Sequence, residues 1–191
     1  LRMVFMCCHP SLAFEARVAL SLQVVGGFNA REIARALLSA EAAVAQRLVR
    51  AKRSLRDSHV ALDMPPDTEL PARLDSVLEV IYLMFNEGYA GGADLIRADM
   101  CLEALRLGRA LAATARTATP AVHALVALMA FQAARLDARL DEAGEMVRLD
   151  DQDRSKWDAR LIALGFHHFA ASADGPRMTP YHAQAAIASL H

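Results

Sequence analysis

Apolar residues in the first third of the chain recur at the spacing of amphipathic helices. The run over 10–25 predicts one helix, which Gly26-Gly27 ends, and helices over 30–38 and 40–56 follow it. Along the last of these helices the apolar positions are four, three and four residues apart, which predicts a buried stripe. The stripe consists of Val44, Leu48, Ala51 and Leu55.

Capping residues mark the starts of the two later helices. Asn29 precedes Glu32 by three residues, the spacing of a capping box with Asn in place of the usual Ser or Thr. Ser39 is a favourable N-cap for the helix that begins at Ala40. A short helix, a tight turn and a longer basic helix form the arrangement of a helix-turn-helix, whose second helix enters the major groove of DNA.

The remainder of the chain predicts further helices and one small β-hairpin. The hairpin is centred on Asp141-Glu142-Ala143-Gly144, and Thr119-Pro120 opens the helix before it. The predicted helices cover 70–87, 94–113, 119–136, 150–171 and 179–191, with Gly91-Gly92 between the first two, acidic residues over 150–153 at the start of the fourth and Gly175-Pro176 at its end. The predicted fold class is all-α: a helix-turn-helix domain followed by a helical bundle with one small hairpin.

The composition favours a helical fold and indicates the cellular compartment of the protein. Of the 191 residues 54% are hydrophobic but only 6% aromatic, a mix that disfavours a sandwich or a barrel. The longest apolar stretch, 121–134, is interrupted by His123 and Gln132, so we expect no membrane span. Three cysteines, two of them adjacent, form no disulfide framework and indicate a reducing compartment, so we expect a cytoplasmic protein. No signal-peptide pattern opens the chain, which we expect to be part of a longer protein.

Charge is divided unevenly along the chain. Residues 1–58 carry nine Lys/Arg and four Asp/Glu, a net +5, whereas residues 59–191 carry twelve and eighteen, a net −6. Such a division is typical of a segment that binds a polyanion, joined to a second segment that has a different partner. Helix-breaking prolines lie where the sign changes. The predicted parts are a domain over 1–60, a linker over 61–71 and a helical domain over 72–191.

Basic and amide side chains of the helix over 40–56 lie away from its apolar stripe. Arg is the natural bidentate reader of guanine, Gln can read adenine, and further Arg or Lys side chains pair with phosphates. The alternative to DNA binding is a solvated basic face on an ordinary helical bundle. Five basic residues of this helix stand against Glu41 alone, which favours DNA.

Several stretches resemble the extracytoplasmic-function sigma factors of RNA polymerase. Residues 27–34 resemble the first helix of their region 4, and 39–44 with 47–56 resemble its recognition helix. Further stretches resemble the subgroup with a long helical, tetratricopeptide-like C-terminal extension. They are Phe5-Met6-Cys7-Cys8-His9-Pro10, Asn86-Glu87-Gly88-Tyr89, Gln152-Asp153-Arg154-Ser155-Lys156-Trp157-Asp158 and Ala185-Ala186-Ile187-Ala188.

The resemblance implies that the N-terminal domain docks on the −35 element of promoter DNA and binds the flap of the RNA polymerase β subunit. None of this requires bond-making chemistry, and we expect no cofactor and no metal. Region 2, which melts the −10 element in these proteins, has no counterpart in the chain, so we expect −35 binding without initiation by this chain alone. We also expect the extension to continue beyond His191. Base-edge and nearby contacts are predicted for Ala43, Gln46, Arg47 and Arg50, and phosphate contacts for Arg31, Arg35, Lys52 and Arg53.

The sequence gives weaker indications of a metal site or a catalytic site than of DNA binding. Cys7-Cys8-His9 combines zinc-binding side chains, but no second ligand pair follows at a zinc-site spacing, so we expect two small buried apolar cysteines. Glu87 or Asp153 could act as a general base beside Arg154, although a buried carboxylate that pairs with Arg to hold the helices is the favoured interpretation. Because neither a phosphate-binding glycine loop nor a nucleophile elbow occurs, we expect no enzyme.

Three interpretations of the acidic C-terminal segment stay open. It could mask the recognition helix or dock on polymerase or a small protein, and we hypothesise that it regulates the availability of region 4. The chain could instead be a helix-turn-helix repressor or activator whose acidic domain senses a ligand or a partner, a class that usually reads palindromic half-sites. A purely protein-binding helical module is the third interpretation.

Overall fold

The computed structural model describes residues 1–89, 97–175 and 177–190. The chain folds into two compact units, Leu1–Glu87 and Gly88–His191. Over the described residues the regular structure is helical apart from one isolated β-bridge, so the predicted all-α class is confirmed.

Helices of the first unit follow the predicted order with one addition at the start. They are α1 (Arg2–Cys7), α2 (Phe14–Val24), α3 (Ala30–Ala36), α4 (Glu41–Asp57) and α5 (Leu70–Tyr89), the last of which crosses the boundary of the unit. The apolar pattern did not predict α1. The start of α2 lies later than predicted because Ala13 adopts an extended conformation before the first helical residue.

The core of the first unit forms where α4 packs on α2 and α3, while α1 packs on α2. The predicted stripe on α4 is confirmed, since all four of its residues are buried. Phe5, Leu20 and Ile33, on the other helices of this unit, are buried as well. Burial of this stripe sets the rotation of α4 about its own axis, and therefore which of its polar residues face outward.

Two arginines explain why the first unit extends into α5 rather than ending at residue 60. Arg73, on α5, donates through Nη2 to the carbonyl of Phe5 at 2.7 Å. Arg17, on α2, donates through Nε to the carbonyl of Leu12 at 2.8 Å and through Nη1 to Ser76 Oγ at 3.2 Å. These bonds join the first half of α5 to α1 and α2. The boundary between the units therefore lies at Glu87 and Gly88, later than the predicted linker over 61–71.

The second unit is built around one helix that is buried on every side. Its helices are α6 (Ala98–Ala112), α7 (Pro120–Ala133), α8 (Ala159–Ser172) and α9 (Pro180–Ser189), with 3₁₀ turns at Leu136–Ala138, Leu149–Asp151 and Arg154–Lys156. α7 contacts α6, α8 and α9. Gly165 on α8 permits a close approach, because a Cβ there would lie 2.5 Å from the Phe131 ring of α7.

The apolar character of α7 changes the expectation about a membrane span. Pro120–Ala138 is long and apolar enough to cross a bilayer by length and composition, with a mean hydropathy of 1.2. Composition alone therefore does not exclude a span, contrary to the expectation above. The 18-residue stretch of this segment that has this hydropathy is 72% buried inside the protein. Packing as a core helix therefore explains its apolar character.

Capping side chains mark the starts of α7 and α8. Thr119 accepts a hydrogen bond from Val122 N at 3.4 Å with Pro120 next to it, which confirms the predicted start of α7. The helix predicted from residue 150 instead begins after Asp158, whose carboxylate accepts bonds from Arg160 N (2.7 Å) and Leu161 N (3.2 Å). The acidic residues over 150–153 lie in 3₁₀ and extended structure, so that part of the prediction is wrong.

The predicted hairpin is reduced to a single bridge between Leu140 and Met146 within the described residues. Asp141 closes the turn, since its carboxylate accepts bonds from Ala143 N at 2.9 Å and Glu145 N at 2.8 Å. Backbone bonds from Asp141 N to the carbonyl of Glu145 (3.0 Å) and from Val147 N to the carbonyl of Arg139 (2.8 Å) also join the two sides of the turn. Gly91-Gly92, the predicted helix start at 94, Pro176 and His191 lie outside the described residues.

A histidine pair 45 residues apart in the sequence links α7 to α8. His123 Nδ1 lies 2.8 Å from His168 Nδ1, and the two rings stack with centroids 5.1 Å apart. Burial is the main cause that lowers the pKa of His168 to about 4, and nearby His123, His167 and Arg109 contribute to the shift.

The depressed pKa predicts that acid destabilises the second unit. An unfolded histidine takes up a proton near pH 6.5, whereas His168 stays neutral until about pH 4. The contribution of neutral His168 to the free energy of unfolding is therefore complete above pH 6.5. It falls as the pH is lowered toward 4, with a slope of up to about 1.4 kcal/mol per pH unit. Urea unfolding at several pH values should show a weaker slope in His168→Gln. The same change at exposed His167 should leave most of the slope, and equal slopes in both variants would contradict the assignment.

Candidate nucleic-acid interface

The start of α3 is held by the predicted capping box, which the structure confirms. Asn29 Oδ1 accepts a bond from Glu32 N at 3.0 Å, and Glu32 Oε2 accepts one from Asn29 N at 2.8 Å. The chain reaches this point through Gly26 and Gly27. A Cβ at Gly26 would lie 2.6 Å from the Phe28 ring, and Gly27 has a φ of +75°, so both positions need glycine.

The turn between α3 and α4 is closed by backbone hydrogen bonds. Ser39 N donates to the carbonyl of Ala34 at 2.8 Å, and Leu38 adopts a left-handed φ of +46°. This is a Schellman closure of α3, with Leu38 where glycine is most common. Ser39 thus ends α3 and does not cap α4, whose N-cap residue Ala40 makes no side-chain capping bond. The predicted N-cap at Ser39 is wrong for that reason.

One face of α4 carries the four residues predicted to contact base edges. Ala43, Gln46, Arg47 and Arg50 recur at the spacing of adjacent helical turns. Together with Ser54 they line one side of a groove of about 430 Å³, whose other side comes from the segment before α2 and its first turn. We call these four residues the reading face.

The two arginines of the reading face carry positive charges, and their partners decide whether these charges are available to a ligand. Arg50 is exposed and Arg47 is half-buried. Among the residues that the structure describes, neither forms an ion pair with a carboxylate. Their guanidinium groups are therefore available to an external acceptor such as a base edge or a phosphate.

The predicted phosphate contacts do not share one surface of α4. Arg53 is adjacent to the reading face and pairs weakly with Asp57, with Nε 3.5 Å from Oδ2 and both side chains mostly exposed. Lys52 follows Ala43 by nine residues, which places it about 180° around the helix axis. Arg31 and Arg35 lie one turn apart on α3, and both are exposed. The structure thus groups Arg53 with the reading face and separates Lys52 from it.

Comparison with known families identifies both parts of the chain. Residues 2–55 match the model of sigma-70 region 4, and residues 73–173 match a family described as a family of unknown function, DUF6596. The second match covers more than half of the chain. The chain belongs to the DUF6596 family. Its N-terminal part is a sigma-70 region 4 domain, which implies DNA binding of the sigma-factor type and interaction with DNA and RNA polymerase in general.

One curated relative is similar along the whole chain. It is the uncharacterised protein R00370 of Rhizobium meliloti (strain 1021), which is 39% identical over 193 residues. The alignment covers 100% of this chain but only 45% of the relative, so the chain spans less than half the length of that protein. No solved structure matches the chain.

Sequence reasoning missed two polar residues of the groove in the region 4 domain. Ser54 lies one turn beyond Arg50 on the same face, so extending the helical period would have found it. Ser11 comes from a different segment, and its hydroxyl bonds to His9 Nδ1 at 2.7 Å. Only the packing of α2 against α4 brings Ser11 there, and no local signal predicts it.

The cysteines beside His9 are buried, as expected. Burial raises the pKa of the Cys7 thiol to about 12 and that of Cys8 to about 11, so both are protonated at neutral pH. Metals bind the thiolate form, which such burial disfavours. Over the described ranges, no cluster of three or more His, Cys, Asp or Glu side chains is placed to hold a metal ion.

The two carboxylates considered as general bases differ in exposure. Asp153 is fully exposed and accepts bonds from Ser155 N at 2.9 Å and Ser155 Oγ at 2.7 Å. Glu87 is half-buried, which raises its pKa. In the part of the chain that the structure describes, neither forms an ion pair with an arginine, so the expected buried Asp/Glu–Arg pair is not found.

The left-handed turn residue yields a prediction about stability. Leu38 is 92% exposed, so its side chain contributes little burial, while its φ disfavours most residues other than Gly and Asn. Leu38→Asn should raise the free energy of unfolding by about 0.5–1 kcal/mol, and Leu38→Ile should lower it by about 1 kcal/mol. Urea unfolding measures both. Leu62→Asn, at an exposed leucine without positive φ, should show no gain; a comparable gain there would refute the backbone explanation.

Proposed function

We propose that the chain binds the −35 element of promoters as part of a sigma factor of the extracytoplasmic-function type. The observation that carries the proposal is the reading face, whose arginines have no acidic partner among the described residues and which lies on the second helix of a region 4 domain. A major-groove reader needs a helix presented with its polar side outward, and burial of the stripe on α4 supplies that orientation.

Each member of the reading face has a chemical role in this proposal. Arg47 and Arg50 can donate two bonds each to a guanine, and Gln46 can bond an adenine. Ala43 offers a methyl group to the methyl of thymine. Phosphate contacts by Arg31, Arg35 and Arg53 then hold the helix in register without reading sequence. Lys52, which the sequence also predicts to contact a phosphate, lies on the opposite side of α4 and has no role in this arrangement.

The wider role also belongs to the proposal. We infer that the region 4 domain contacts the β flap of RNA polymerase while it binds DNA, and that it works in the cytoplasm without cofactor or bond-making chemistry. The similarity to region 4 supports a polymerase partner in general. Regulation of the region 4 domain by the acidic segment stays a hypothesis.

Substitution of single arginines separates base reading from phosphate binding. Arg47→Ala should lose about 1–3 kcal/mol on duplexes selected by the wild-type chain from a random pool, and lose less on scrambled duplexes. Arg53→Ala should weaken both equally and reduce the salt slope by about one. Fluorescence anisotropy of labelled duplexes measures both effects over a salt series.

A matched control is available on the same helix. Arg56 is exposed and lies nine residues from Arg47, about 180° around the axis, so Arg56→Ala should keep the preference for the selected duplex. If Arg47→Ala lost affinity equally for selected and scrambled duplexes, Arg47 would not read bases.

The stoichiometry of the complex separates the proposal from the alternative of a repressor or activator. A sigma-type domain should select a single asymmetric site, bind it as one chain and associate with RNA polymerase core enzyme. Sequencing of the selected duplexes and light scattering of the complex test this expectation. Palindromic half-sites about one helical turn apart, with two chains bound, would favour the regulator instead.

A further inference from the structure

A cavity of about 410 Å³ opens in the second unit beside the C-terminal end of α7. Met146 and Val147 supply apolar lining from the segment after the bridge, and Ile187 supplies more from α9. Arg135 and Arg139 supply the charged lining. A volume of this size, mostly apolar walls and a few convergent polar groups are typical of small-molecule sites.

Both arginines are buried far more than is usual for charged side chains, with Arg135 5% exposed and Arg139 8% exposed. Arg135 donates through Nη2 to Gln132 Oε1 at 2.9 Å, but its Nε is buried without a hydrogen-bond partner. Arg139 donates through Nη1 to the carbonyl of Tyr89, and its Cζ lies 3.7 Å from the centre of the Tyr89 ring. These contacts use a minority of the five N–H donors of each guanidinium.

Within the described ranges, carboxylates leave this pair of charges without a partner. Over residues 1–89, 97–175 and 177–190, no Asp or Glu oxygen lies within 4.0 Å of either guanidinium. Acidic residues are close in sequence, but Asp137 is exposed and Asp141 bonds the backbone of its own turn. Burial and the like charge of Arg139 lower the pKa of Arg135. Two buried cations of like sign destabilise a fold unless an anion joins them.

We propose that this cavity binds a small organic anion, which carries a carboxylate or phosphate group on a compact apolar body. The anionic group pairs with Arg135 and Arg139, because the planar guanidinium offers two parallel donors to such groups. The apolar body lies against Met146, Val147 and Ile187. This site lies in the second unit and is independent of the promoter binding proposed for the first.

The single tryptophan of the chain reports on the site. Trp157 is the only one present, and its ring centre lies 5.8 Å from Arg135 Cζ. Benzoate and phenyl phosphate, each titrated into the full chain, test the two anionic groups, with benzamide as the neutral analogue of benzoate and inorganic phosphate as the anion without an apolar body. We expect saturable changes in Trp157 fluorescence with benzoate, phenyl phosphate or both, at a Kd in the millimolar range or tighter. Benzamide and inorganic phosphate should bind at least tenfold more weakly.

Variants locate the binding. Arg135→Gln and Arg139→Gln should each weaken the anion at least tenfold, whereas Arg160→Gln, at an exposed arginine of α8 outside the cavity, should bind like the wild type. Because loss of a buried arginine can disturb folding, a second pair of variants changes only the exposed lining residue Ile187. Ile187→Asp should weaken the anion at least threefold more than Ile187→Asn, which has nearly the same shape without the charge.

Any of four results with these ligands and variants would overturn the proposal, and a fifth comes from the arginine variants. The four are no saturable response to either aromatic anion at millimolar concentration, saturable binding of benzamide with the affinity of benzoate, binding of inorganic phosphate as tight as that of the aromatic anion that binds, and equal affinities of Ile187→Asp and Ile187→Asn for that anion. Retained affinity in folded Arg135→Gln and Arg139→Gln would do the same. None of these results bears on DNA binding by the first unit.

Discussion

Burial of the apolar stripe on α4 is the constraint on which the candidate interface depends. The four residues of the stripe pack on α2 and α3, and this packing fixes the rotation of α4 about its axis. Once the rotation is fixed, helical geometry places Gln46, Arg47 and Arg50 on one outward side. The same geometry turns Lys52 away from that side. The chemistry of the reading face is thus a consequence of apolar packing and not of any interaction among the polar residues themselves.

The parts of the fold that depend on periodicity were predictable from the sequence, because a helical period shows in any run of about four turns. Helix ends were less predictable, since several residues compete to satisfy the same backbone groups. Asn29 and Thr119 cap the helices they were expected to cap. Ser39 does not, because the backbone had already closed α3 at that residue. The short α1 lacks a full amphipathic repeat, so its six residues carried no periodic signal.

Sites built from distant segments were beyond sequence reasoning for a different reason. Ser11 reaches the groove through the packing of two helices. Arg135 and Arg139, which follow α7, have carboxylates nearby in sequence, such as Asp141. The structure uses Asp141 to close a turn, which leaves the guanidiniums without it. Which polar group satisfies which is decided by the folded backbone, and neighbours in sequence are a poor guide to it.

The two sets of arginines differ in solvation, and this difference suits them to different anions. The guanidiniums on α4 are exposed or, at Arg47, half-buried, so they keep much of their hydration. Each therefore contributes little on its own, and binding needs many contacts with a polyanion. The buried pair in the second unit has already lost water during folding. A small anion that enters the cavity therefore meets donors that require little further desolvation, and a single group can bind with useful affinity. Desolvation before binding is what allows a small cavity to select one charge where a surface helix needs a whole duplex.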